Sequence, residues 1–245
     1  MSLSPARHVV TALALLVVAC ATPQPLPIGR VIEQGQTGQP PESSIWAMRN
    51  AKTTYALRGS DFARLKRVGV SDEVLDYIQQ SFIDDVDLLT RYWVLGESVG
   101  GCVRCLPTEV DLRNPASPSQ IPTSTAYYFD RPQGMPSWYR PYSVRRGTIT
   151  IEQVLRMAKS GASEGEMIRA IRNANLDHVV GVAGLGTIRT RPLPGLTGSE
   201  LAYLGQQGVP DAVLDELQTA FLSQFVETER LRYQNLGKSP GGSFN

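Results

Sequence analysis

Two stretches of this chain, 139 residues apart, carry nearly the same residues. Setting 60–82 against 199–221 gives 11 identities in 23 positions: Ser60/Ser199, Ala63/Ala202, Leu65/Leu204, Gly69/Gly208, Val70/Val209, Asp72/Asp211, Val74/Val213, Leu75/Leu214, Asp76/Asp215, Gln79/Gln218 and Phe82/Phe221. The pattern reads as a helical hairpin. Apolar residues at Phe62 and Leu65 mark a short first helix, and Gly69 supplies the left-handed residue that ends it. Ser71 caps the next helix and Asp72 sits in its first turn, where a negative charge suits the dipole. In the later copy Pro210 takes the place of Ser71; it suits a helix start but offers no hydroxyl. The second helix is long. Leu75, Ile78, Phe82, Val86, Leu89 and Trp93 recur at three- and four-residue spacing, as do Leu214, Leu217, Phe221, Phe225, Thr228 and Leu231.

A weaker copy runs over 149–174, with Val154, Met157, Gly161, Ala162, Ser163 and Glu164 where the first has Phe62, Leu65, Gly69, Val70, Ser71 and Asp72. A further echo links Ile45, Ala47, Met48, Arg49, Asn50 and Ala51 to Ile168, Ala170, Ile171, Arg172, Asn173 and Ala174, which places the first helix of the repeat region near Ser44. A hairpin of this size buries little alone, so the copies are expected to share one core. The fold class that follows is mainly α: repeated helix-turn-helix hairpins around an irregular insertion rich in proline and aromatic residues.

The beginning of the chain carries a different signal. Arg7 precedes an apolar run over 9–18, too short for a comfortable membrane span, which needs about 20 residues; this is the form of an export signal. It ends Leu16-Val17-Val18-Ala19-Cys20, which resembles the lipobox of bacterial lipoproteins. The resemblance implies removal of 1–19, a diacylglycerol thioether on Cys20 and acylation of the new amine. Several acyl chains, each stabilising by about 0.8 kcal/mol per buried CH₂, make a lasting anchor. Ala21 in place of Asp implies, by the same resemblance, the outer membrane facing the periplasm. The hairpin pattern (a leucine, Gly-Val-Ser/Pro-Asp, an aliphatic pair) resembles helical hairpins of uncharacterised bacterial envelope lipoproteins. It covers 44–93 and 149–233 and implies no particular activity.

Removing 19 of 245 residues leaves 226, enough for one substantial domain or two small ones. The expected organisation is a signal peptide at 1–19, a flexible tether at 20–43, the first repeat at 44–95, the irregular insertion at 96–146, two further repeats at 147–236 and a frayed tail at 237–245. A formal net charge of +1 gives no global field to attract nucleic acid. Asp72, Glu164 and Asp211 at the helix starts repel phosphate, which argues against a DNA-binding hairpin. With Cys20 lipidated, Cys102 and Cys105 remain, and an even pair in an oxidising compartment favours a structural disulfide. A redox pair would open a helix, but Pro107 follows and no helical period succeeds it.

Gly161-Ala162-Ser163-Glu164-Gly165 matches the nucleophile elbow of hydrolases, which needs a strand before the serine. Here a helix is expected before it, with Ser163 and Glu166 forming a capping box; His178 is the only candidate base. The glycine-rich 181–186 lacks the order of a phosphate loop. The insertion holds possible short strands at 110–112 and 126–129. It also concentrates Tyr127, Tyr128, Phe129, Trp138, Tyr139 and Tyr142, read either as a partner-binding surface or as a roof over the core. The leading expectation is a non-catalytic envelope lipoprotein, with no cofactor, metal or nucleic acid, that docks a larger assembly or secretion machine. A thiol-redox role for Cys102 and Cys105 is the alternative, and a Ser163 hydrolase comes third.

Overall fold

The computed structural model describes residues 25–95, 108–109, 112, 119–120, 134–143, 145–177 and 196–237. Cys20, Cys102, Cys105, Tyr127, Tyr128, Phe129, His178 and the 181–186 glycines lie outside them.

Helices dominate. In chain order they are α1 (Ile28–Gln36), α2 (Pro41–Asn50), α3 (Gly59–Arg67), α4 (Asp72–Leu95), α5 (Ile151–Lys159), α6 (Glu164–Asn173), α7 (Gly198–Gln206) and α8 (Asp211–Gly237). Two-residue strands stand between them: β1 (Tyr55–Ala56), β2 (Thr108–Glu109), β3 (Ser119–Gln120), β4 (Thr148–Ile149) and β5 (Asn175–Leu176). β1 pairs in parallel with β2, which pairs antiparallel with β3; β4 pairs in parallel with β5.

Among the described residues the helices do not form three equivalent hairpins but one four-helix unit twice. The order α1-α2-β1-α3-α4 recurs as α5-α6-β5-α7-α8. The stretch at 149–174 is therefore the counterpart of α1–α2, not of α3–α4. The correct register there is an offset of 123, already visible in the Ile45–Ala51 echo. It extends back to Ile28/Ile151, Val31/Val154 and Gly38/Gly161. The hairpins are easily confused because all four share one turn geometry. Gly38, Gly69, Gly161 and Gly208 have φ of 68, 100, 79 and 87°. In each turn the next residue's N–H reaches five residues back: Gln39 to Gln34, Val70 to Leu65, Ala162 to Met157 and Val209 to Leu204, at 3.0–3.1 Å. This is the Schellman closure that a left-handed glycine permits.

One boundary moves. The expected tether at 20–43 already holds α1 and the start of α2, and Ile28 and Val31 are buried in the core. Ile28, Val31 and Ile32 supply a helical apolar stripe that the surrounding Gln and Pro obscure. In α8 the expected stripe holds as far as Phe225, which packs half-buried against both core clusters. Leu222, Val226 and Tyr233 also face inward, while Leu231 is exposed. The distal half of α8 packs with Phe82, Val86 and Leu89 of α4 and with Met135 and Tyr139 of the segment between the copies, a second cluster beside the main core.

The copies interlock across a pseudo-two-fold axis. The Ser60 N–H donates to Asp215 Oδ1 at 2.9 Å, and the Ser199 N–H donates to Asp76 Oδ1 at 2.8 Å. On the axis the Gln79 and Gln218 side-chain amides exchange bonds of 3.0 and 2.9 Å, and both residues are buried. A Cβ on Gly59 would strike the Leu214 carbonyl, and one on Gly198 would strike that of Leu75. Each contact is matched by its counterpart 139 residues away, as in a self-complementary homodimer interface contained in one chain.

Candidate functional site

A cleft of about 410 Å³ opens where the segment between the copies crosses the second unit; its walls include Arg58, Trp138, Arg140, Arg172, Asp215 and Glu216. Four elements supply these side chains. Arg58 stands just before α3, where its backbone N–H donates to Asp61 Oδ2 at 3.0 Å. Arg172 lies in the last turn of α6, and Asp215 and Glu216 lie in α8. Trp138 and Arg140 come from the segment that Met135 and Tyr139 pin to the second core cluster.

Glu216 forms the floor. Its side chain is 6% exposed and is met by Arg172 at 2.8 Å and by Arg140 at 3.5 Å. Burying a carboxylate without partners is costly, and two guanidiniums offset that cost here. The hydrogen bond to Glu216 pushes the Arg172 guanidinium above its ordinary pKa. Asp215 spends one oxygen on the Ser60 N–H, while the other faces Arg58 at 3.9 Å. Trp138 leans on Phe82, with ring centroids 6.1 Å apart at 59°.

The structure divides the aromatic residues expected to bind a partner. Trp138 lines the cleft and keeps that reading open. Tyr139 is a roof residue, buried in the second cluster. Tyr142 is a strut: its hydroxyl donates to Asn175 Oδ1 at 2.8 Å, and Arg145 lies 5.8 Å from its ring centre. Arg145 in turn donates to the Ile171 and Ala174 carbonyls, closing the end of α6. Tyr139 is thus buried in the second cluster while also lining the cleft beside Trp138, and Tyr142 is tied to Asn175 of β5.

Ser163 stands at a helix corner with α5, not a strand, before it. The Glu166 N–H donates to its Oγ at 3.3 Å, and the Ser163 N–H and Oγ both donate to Glu166 Oε2 at 2.8 Å. That is the capping box, and it lacks the strand-to-helix turn of a nucleophile elbow. Among the described residues no group of three His, Cys, Asp or Glu is placed to hold a metal ion, and no helix is long and apolar enough to cross a membrane.

Arg58, Arg140, Arg172 and Glu216 were not singled out in the sequence, since they are scattered over 158 residues with no common spacing. The signal that finds them is comparison of the two copies. Arg172 and Arg49 are equivalent, but Arg49 lies over the Tyr77 ring, 5.2 Å from its centre, and Tyr77 is the counterpart of Glu216. Arg58 corresponds to Thr197 at the 139 offset. The copies agree on their framework and differ at this cleft. No family model, curated protein or solved structure matches the chain.

Proposed function

We propose that the chain is a lipid-anchored component of the bacterial cell envelope that binds a partner through the cleft at Trp138, Arg140 and Arg172 and performs no catalysis itself. The single observation that carries the binding reading is that cleft: two aromatic and three guanidinium side chains gathered where the two copies differ, on an otherwise duplicated scaffold. The lipobox at 16–20 supports the anchor at Cys20, and Ala21 supports an outer-membrane address facing the periplasm. With α1 beginning at Ile28, the stretch between Cys20 and the folded part is short. Such a leash holds the binding face near the membrane surface, which suits docking to an envelope-spanning assembly or secretion machine.

The test is a photo-cross-linking residue at Trp138 in cells, with mass spectrometry of the adducts and of the mature N-terminus. The expected result is a triacylated Cys20 and one dominant protein adduct, lost when Cys20 is replaced by Ser. A mature form without lipid would overturn the anchor. Mixed disulfides from Cys102 or Cys105 to many exported proteins would favour thiol exchange over docking.

A further inference from the structure

Resting on the reading of the cleft as the binding face, we infer that it accommodates a small monocarboxylate with a flat apolar body: the carboxylate bridges Arg58 and Arg140, and the body rests on Trp138. Charge comes first. The cleft is lined by three arginines and two carboxylates, an excess of one positive charge. An ionised carboxylate brings one negative charge at neutral pH, whereas a phosphate monoester brings ~1.5–2. A monoanion leaves the cleft neutral.

The state of each guanidinium comes second. Arg172 is committed to Glu216 at 2.8 Å. Arg58 and Arg140 are held loosely, at 3.9 Å from Asp215 and 3.5 Å from Glu216, and their side chains are 51% and 60% exposed. A guanidinium offers five N–H donors in a planar fork that matches a carboxylate, and most of those on these two arginines are unspent among the described residues. Shape comes third. Among the described residues the Trp138 indole N–H is buried without an acceptor, a costly state for a polar group. A cleft of this volume suits a small molecule, at the lower end of the usual range for such sites. At the place related to it by the pseudo-two-fold axis, Tyr77 and Thr197 stand in the positions of Glu216 and Arg58, so the charge pattern occurs at one of the two related places.

The test is calorimetric titration of the full chain, purified in detergent, with phenylacetate, phenylacetamide, acetate and inorganic phosphate. Phenylacetate is expected to bind at least tenfold more tightly than the amide, than acetate and than phosphate. R58Q should weaken it about fivefold or more with unchanged thermal unfolding, and R140Q should weaken it as much while lowering the thermal unfolding slightly, because Glu216 loses one of its two partners. Equal binding of acid and amide, or tighter binding of phosphate, would overturn the monocarboxylate while leaving a binding cleft. No binding of any probe would overturn the small-ligand inference. If Trp138 still gave one dominant cross-linked protein in cells, the docking reading would stand without it.

Discussion

Asp61 shows how the fold spends a carboxylate in an awkward place. It is 4% exposed at the start of α3, and burial pushes its pKa up to about 6, with Asp215 adding to the rise and the Arg58 N–H and Arg64 opposing it. A carboxyl raised in the folded state favours folding while protonated. Its contribution is fully present below the ordinary range near 4 and is lost as pH climbs through about 6. Asn at this position keeps an oxygen for the Arg58 N–H and cannot ionise. D61N should therefore gain stability over the parent as pH rises from 4 to 7, by on the order of 2 kcal/mol. Urea unfolding at pH 4, 5.5 and 7 measures it, and parallel curves would contradict the assignment. Ser163 makes the opposite case, a residue whose motif suggests chemistry and whose geometry is a cap. S163A should cost about 1 kcal/mol in a thermal melt and leave the cross-linking pattern at Trp138 intact.

At the scale of elements, the hairpin turns were legible and the helix pairing was not. A glycine, an aliphatic residue, a capping residue and an acid define a Schellman turn followed by a helix start, and those cues are local. What joins one hairpin to another is a close approach of backbones, which local cues do not record. Gly59 and Gly198 are one more identity at the 139 offset, and Leu57 and Leu196 another; both pairs lie just ahead of the stretch at 60–82 that sequence comparison picks out. Their meaning appears only when α3 and α7 are seen against the carbonyls of α8 and α4. G59A and G198A should each destabilise by about 3 kcal/mol or somewhat more, since a backbone carbonyl cannot step aside as a side chain can. G165A is the control: a Cβ there meets nothing within 4 Å, and alanine inside a helix should gain about 0.5–1 kcal/mol. If all three behaved alike in equilibrium unfolding, the close approach would not matter. The α1 helix stayed hidden for a different reason: Ile28, Val31 and Ile32 are few among polar residues, and only tertiary burial reveals that they suffice.

At the scale of the whole molecule, the duplication explains both the fold and the site. The mainly helical class was readable from periodicity. The number of units was not, because four hairpins with one turn geometry allow a false register. The cleft was least readable of all. Its charged residues come from both copies and the segment between them, and no spacing rule unites positions 58, 140, 172 and 216. The molecule is held as one body by pairing across the pseudo-two-fold axis, and the Gln79–Gln218 amide pair lies on that axis. The most direct measurement is a double-mutant cycle on that pair, by urea unfolding of the parent, Q79L, Q218L and the double variant. Each single change leaves one buried amide without its amide partner (in Q218L, Gln79 keeps its bond to the Leu196 carbonyl) and should cost about 1–3 kcal/mol, whereas the double change removes both and should cost clearly less than the sum. Single costs that add to the double within about 0.5 kcal/mol would contradict the interlocked arrangement of the two copies.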